Sequence, residues 1–147
     1  MTITTADYET IVVGGGPSGA TAAQDLARQG HNVLLLERGF RIKPCGGAIP
    51  PCLLEEFDIP DHVIKARIRS ARMVSPRGES VDMPIDGTFV GMVDRDEFDP
   101  WLRDRAGRAG ADVVAGVFKS LRYEGDLVSL TYQTKDENPR TETVTAR

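Results

Sequence analysis

Short apolar runs separated by glycine and proline punctuate this chain, and between them lie two stretches of helical spacing. Ile11, Val12 and Val13 read as a buried strand, Pro17 to Gln29 as a helix, and Val33 to Leu36 as a second buried strand. Ala20, Ala23 and Ala27, with Leu26 beside them, give the helix a face slim enough to lie close against a sheet, and Gly30 is placed to end it. Two strands joined by such a helix are parallel, with a right-handed crossover.

Beyond Gly39 the pattern is irregular to about Pro60, apart from a short helix over Cys52 to Phe57. A hairpin follows, with Ala66 to Val74 and Glu79 to Ile85 joined by the turn "SPRG" at Ser75 to Gly78. A further strand covers Thr88 to Val93. The stretch "DRDEFDPWLRDRAGRAG" has helical spacing, with Phe98, Leu102 and Ala106 on one side and an end near Gly107 or Gly110. Pro100 conflicts with that helix unless Asp99 is its cap and Pro100 its first residue, where the missing donor costs nothing. Asp112 to Val117 reads as a third buried strand that Phe118 to Tyr123 continues; "EGD" turns the chain, Leu127 to Thr134 returns, and Thr141 to Ala146 is edge-like.

These elements predict an α/β fold in four stretches: a βαβ dinucleotide unit over 1–39, a loop and strand excursion over 40–93, a helix and third parallel strand over 94–117, and an antiparallel meander over 118–147. With three buried strands and one clear crossover helix, the sheet is expected to be incomplete and the chain a portion of a longer protein. The alternative is a small complete domain with an unusual edge.

At 147 residues, 40% hydrophobic and 27% charged, the composition is that of one globular domain. The formal charge of −4 comes without a basic block, which argues against a nucleic-acid or polybasic membrane partner. The first residues lack the basic and apolar regions of a signal peptide, so the expected location is cytoplasmic, with peripheral membrane contact left open. Two cysteines, Cys45 and Cys52, are too few for a disulfide scaffold, and without a nearby histidine no metal site is expected.

The most specific signal is "VVGGGPSGATAA". Gly14, Gly16 and Gly19 form G-x-G-x-x-G after a strand and at the start of a helix: glycines for a tight turn, for the approach of a pyrophosphate, and for close helix packing. The helix's unpaired N–H groups face the phosphate, Pro17 loses no bond so early in the helix, and Ser18 offers a hydroxyl and an amide. A glycine pattern alone is unspecific. Glu37, at the end of the second strand, is where a carboxylate accepts hydrogen bonds from the adenosine ribose hydroxyls and disfavours a 2'-phosphate, which selects FAD or NAD over NADP. Arg38 follows it. A relic that binds nothing is the bland alternative.

"KPCGGAIPPCLL" admits several readings. Gly46 and Gly47 allow a backbone to approach a flat ring, while Pro44, Pro50 and Pro51 hold the flanks extended. Cys45 is either a buried structural cysteine, a small group against a flavin, or a redox or acid residue. Cys52 reads as a core cysteine of a short helix.

Together "VVGGGPSGATAA", "LLERG", "KPCGGAIP" with "EFDIP", and "DRDEFDPWLRDRA" resemble the N-terminal part of the geranylgeranyl reductases of the chlorophyll and bacteriochlorophyll branch. The resemblance implies a Rossmann-like FAD-binding domain of the para-hydroxybenzoate hydroxylase type and an NADPH-dependent reduction of geranylgeranyl double bonds to phytyl. Its substrate is geranylgeranyl diphosphate or a prenylated pigment, and its location the cytoplasm or the surface of a photosynthetic membrane. By motif, Gly14, Gly16, Ser18 and Gly19 surround the FAD pyrophosphate, Glu37 its ribose and Arg38 the adenine side. Cys45, Gly46 and Gly47 lie near the flavin ring, Arg95 reaches toward the pyrophosphate, and the strand at Val117 passes the adenine. The family usually has no proline at Pro100. No residue takes the role of proton donor: His62, Asp94 and Asp96 read as surface or cap residues. No specific protein partner is implied. Competing functions are an aromatic monooxygenase, a prenyl ether-lipid reductase, and a flavin-binding module without catalysis.

Overall fold

A computed structural model describes residues 6–39 and 45–147. Pro44, expected to hold its flank extended, lies outside them. In chain order the elements are β1 (Thr10–Val13), α1 (Pro17–Arg28), β2 (Val33–Glu37), β3 (Ala48–Ile49), α2 (Pro51–Glu56), a 3-10 turn (Asp61–Val63), β4 (Ala66–Ile68), β5 (Ser70–Val74), β6 (Ser80–Pro84), β7 (Val90–Met92), α3 (Arg95–Arg108), β8 (Asp112–Glu124), β9 (Leu127–Thr134) and β10 (Thr141–Ala146). They form two compact units, Met1–Arg41 with Asp99–Arg147, and Ile42–Phe98.

The first unit is built on a five-stranded sheet of order β1-β2-β8-β9-β10. β1 and β2 pair in parallel from Thr10↔Val33 to Val13↔Leu36, and β2 pairs in parallel with β8 from Leu34↔Asp112 to Glu37↔Ala115. Past Ala115, β8 continues as the first arm of an antiparallel meander with β9 and β10. The β8–β9 turn places Gly125 at φ +65, the left-handed first turn position that glycine adopts most readily in a hairpin. Leu36, Leu130 and Tyr132 form the core, with Ile11, Val114 and Val144 against it. Burial of each such leucine contributes about 1.5–3 kcal/mol. Gly116 makes room for this cluster, since a Cβ there would lie 2.6 Å from Tyr132 Cδ2 and 2.8 Å from a Leu36 methyl.

α1 lies on β1 and β2 through its buried alanines, Ala20, Ala23 and Ala27. It closes in a Schellman motif: Gly30, at φ +89, donates to the Ala27 carbonyl (3.0 Å) and His31 to that of Leu26 (3.1 Å). Two strands expected to be buried are not. β1 is an edge strand with Val13 about half exposed, and β8 leaves Val113, Phe118 and Leu121 open. Only β2, flanked by strands on both sides and covered by α1, is buried from Val33 to Leu36.

In the second unit β7 is the centre of a three-stranded antiparallel sheet, β3-β7-β4. α2 lies beside β7 at Gly91, where Leu54 and Ile64 close in so tightly that a Cβ would sit 3.1 Å from a Leu54 methyl. The strand expected over Ala66 to Val74 is two strands: β4 joins β7, while β5 pairs with β6 as a separate hairpin. Its turn is the expected one, with Gly78 at φ +85 donating to the Ser75 carbonyl (2.9 Å).

α3 does not begin at Pro100. It starts at Arg95, with the Phe98 amide bonded to the Asp94 carbonyl at 2.8 Å, and keeps Pro100 inside. The proline removes a single ladder bond, that to the Asp96 carbonyl. Phe98, Leu102 and Ala106 are buried along one side and offset this loss. Cys52 is exposed, because α2 buries none of its residues; Cys45 is exposed as well, against the expectation of a buried structural thiol.

Candidate functional site

Five of the residues singled out in the sequence meet where β1 passes into α1. Gly14 stands at φ +109, which disfavours any side chain, and its amide donates to the Leu36 carbonyl (2.8 Å), fixing the loop to the end of β2. Gly16 is the N-cap of α1, so no side chain satisfies the first-turn amides, and Pro17 follows as the first helical residue. Amides of a first turn have no intrahelical acceptor, and a capping Ser, Thr or Asp would normally take one. Here they remain for an anion. Ser18 is exposed at this turn. Gly19 has no room for a side chain: a Cβ would collide with the Gly14 carbonyl oxygen.

Glu37, half-buried at the end of β2, reaches this loop. Its Oε2 accepts the Gly15 amide at 2.6 Å and its Oε1 the Gly39 amide at 3.0 Å. Each carboxylate oxygen has a second lone pair, so acceptor capacity is left for hydroxyl groups. Arg38 beside it is exposed, and Val117 is half-buried in β8, two residues beyond the last parallel pair. Two cations that the sequence reading did not single out belong to the same strand ends. Arg103 of α3 donates from Nη1 to the Gly15 carbonyl at 2.9 Å. Lys135, after β9, brings Nζ to 3.1 Å from where a Cβ of Gly39 would stand. Neither carries a local signal, since each sits in a charged, polar stretch that reads as surface.

The remaining candidates lie in the second unit. Gly47, at φ +67, packs its backbone on that of Val93: the Val93 amide donates to the Gly47 carbonyl at 2.9 Å, and a Cβ would strike the Val93 carbonyl oxygen. Cys45 and Gly46 are exposed, and Arg95 is the half-buried first residue of α3. His62, Asp94 and Asp96 are exposed. Among the described residues no group of histidines, cysteines and carboxylates is arranged to hold a metal, and no helix is long and apolar enough to cross a membrane.

The first cluster fits the diphosphate and adenosine ribose of a dinucleotide cofactor. Gly19 lets α1 close onto the Gly14 backbone, and the uncapped helix start stands next to a carboxylate with acceptor sites to spare.

Residues 12–50 match the NAD(P)-binding Rossmann-like domain family. The chain is 60% identical over 119 residues to a geranylgeranyl diphosphate reductase of Rhodobacter capsulatus, an overlap of 81% of this chain and 30% of that protein. The crystal structure of a geranylgeranyl bacteriochlorophyll reductase-like protein of Thermoplasma acidophilum superposes with TM-score 0.79 at 31% identity, covering 95% of this chain and 37% of that one. An aklavinone-11 hydroxylase, solved with FAD and aklavinone, superposes with TM-score 0.73 at 23% identity over 98% of this chain and 32% of its own. At that identity the likeness concerns the fold alone: a Rossmann-like nucleotide-binding fold of the para-hydroxybenzoate hydroxylase type. The chain spans about a third of the length of the proteins it matches.

Proposed function

Since this chain belongs to the geranylgeranyl and bacteriochlorophyll reductase family, we propose that it forms the N-terminal FAD-binding part of an NADPH-dependent reductase. That enzyme saturates geranylgeranyl double bonds to phytyl in chlorophyll or bacteriochlorophyll synthesis. One observation carries the reading. The uncapped start of α1 and the Glu37 carboxylate meet at one strand end, in a chain 60% identical over 119 residues to a geranylgeranyl diphosphate reductase.

Within it, the first-turn amides of α1 and the glycines Gly14, Gly16 and Gly19 hold the FAD diphosphate, with Pro17 and Ser18 at the same turn. Glu37 accepts hydrogen bonds from the adenosine ribose, Arg38 lies on the adenine side and Val117 passes the adenine. Cys45, Gly46 and Gly47 serve the flavin ring, and Arg95 serves the pyrophosphate. FAD supplies the hydride chemistry, with NADPH as its reductant. The protein's share is to hold the nucleotide and exclude water. Glu37 faces FAD rather than NADPH, so its carboxylate does not conflict with the 2'-phosphate of the reductant. The prenyl chain of the substrate puts the encounter at a membrane surface.

The test is to incubate the full-length product of the gene with FAD, NADPH and either geranylgeranyl diphosphate or a geranylgeranylated bacteriochlorophyll. The expected product is heavier by successive pairs of hydrogens. Oxygen consumption with a hydroxylated product would replace the reading by a monooxygenase. Hydrogenation of archaeal-type ether lipids alone would move it to lipid reduction, and bound flavin that never couples to a prenyl substrate would leave a binding module.

A further inference from the structure

The central residue of the phosphate loop, Gly15, is held at both of its backbone polar atoms. The Gly15 N–H donates to Glu37 Oε2 at 2.6 Å, and the Gly15 C=O accepts from Arg103 Nη1 at 2.9 Å, across 88 residues of sequence. The Arg103 stem also lies on Gly15: a Cβ there would be 2.8 Å from Arg103 Cδ and 3.3 Å from Cγ. Gly14, Gly15 and Gly16 are three consecutive glycines, the run that loses most conformational freedom when ordered. Gly14 is tied to β2 by its amide, and Gly16 to α1 by the Ala20 N–H bond at 2.9 Å. The two peptides that flank Gly15, between those ties, are fixed by the side chains of Glu37 and Arg103.

The geometry points to Arg103 as a positioning residue for the nucleotide. By holding the Gly15 carbonyl opposite Glu37, it fixes the phosphate loop in its binding conformation before the ligand arrives and keeps a permanent positive charge at the loop. Loop order that precedes binding is not lost on binding, so it appears as affinity. The guanidinium is always charged, and its hydrogen bond to a carbonyl is of the stronger, charge-assisted kind. This inference rests on the reading of the loop as an FAD site.

The test uses the full-length protein and FAD as the probe. Arg103→Met keeps an apolar stem against Gly15 and removes the donor, while Arg103→Lys restores a donor and the charge. Expected are a loss of FAD affinity of roughly tenfold for the methionine variant and an intermediate value for the lysine variant. In the flavin-free protein, amide hydrogen exchange should speed up in a peptide spanning residues 14–19 and remain as in wild type over β9 and β10. Equal FAD affinity in wild type and Arg103→Met overturns the role of Arg103 and leaves the FAD reading intact. A wild-type protein that does not take up FAD sinks both. Should Arg103→Met fail to fold, Arg103→Lys decides: lowered affinity with a wild-type circular dichroism spectrum supports the role, and unchanged affinity overturns it.

Discussion

Replacing Gly19 by alanine sets two physical effects of opposite sign against each other. Gly19 is the third residue of α1, where helix propensity alone favours alanine by about 0.5–1 kcal/mol. The structure predicts the reverse. A Cβ at residue 19 would overlap the Gly14 carbonyl oxygen, lying also 3.1 Å from the Gly14 carbonyl carbon and 3.4 Å from Val12 Cγ1. An ordinary C···O contact is about 3.3 Å or longer. The obstacle is backbone, held by the Gly14 amide bond to Leu36, so no side-chain rotation relieves it. Helix and loop must separate by roughly an ångström, at the usual overpacking penalty of about 1–3 kcal/mol. Net of propensity, Gly19→Ala should destabilise by on the order of 1–2 kcal/mol, or a fall in Tm of about 2–4 °C per kcal/mol for a domain of this size. On the proposed FAD reading, the same displacement moves the first-turn amides off the diphosphate and should weaken FAD binding. Calorimetry of the apo-protein and fluorescence titration with FAD measure the two effects. A variant that melts at or above the wild-type temperature and binds FAD normally would refute the steric argument and the placement of the phosphate together.

Glu37→Gln keeps the shape but loses the charge that accepts the Gly15 and Gly39 amides. FAD binding should weaken by roughly 10- to 100-fold, the worth of about 1.5–3 kcal/mol of charge-assisted bonding, and an unchanged dissociation constant in equilibrium titration would count against the assignment. Tyr132 gives a pH prediction. Burial first, and then its 2.7 Å bond to Glu142, push its phenol from 10.0 up to about 12. A raised folded pKa means that the folded chain holds the proton more tightly, so this stability is complete below pH 10 and is lost as pH rises toward about 12. Two pKa units correspond to about 2–3 kcal/mol. Denaturant melts across that range should show a steeper loss of stability in wild type than in Tyr132→Phe, which keeps the contribution of the likewise raised Tyr8; equal slopes would remove Tyr132 as a source.

The legible part of the molecule is the part whose local pattern has one physical solution. "TIVVGGGPSGATAA" and "VLLLE" specify strand, glycine turn, helix and strand because small residues, a proline at the helix start and a continuous apolar run all agree. The turns at Ser75 to Gly78 and Glu124 to Asp126 were readable because each carries a glycine at positive φ. What escaped the sequence is decided by partners. "ARIRSARMV" contains no glycine or proline to divide it, yet β4 and β5 part at Arg69 because β7 recruits one and β6 the other. Pro100 argues for a late helix start, and only the burial of Phe98, Leu102 and Ala106 on one face keeps the first turn. Arg103 sits in the charged stretch "RDRAGR", where nothing local distinguishes a residue reaching Gly15 from one reaching water.

The two glycines after Cys45 answer to different masters. The second has its backbone laid on Val93 in a left-handed conformation, so the architecture of its own unit forbids any substitute there. The first is unconstrained: among the described residues nothing lies within 4 Å of a Cβ built at Gly46. An invariant need for glycine at residue 47 would thus speak only of folding. Intolerance of alanine at residue 46 in an otherwise sound protein would be the mark of an outside visitor pressing against the loop.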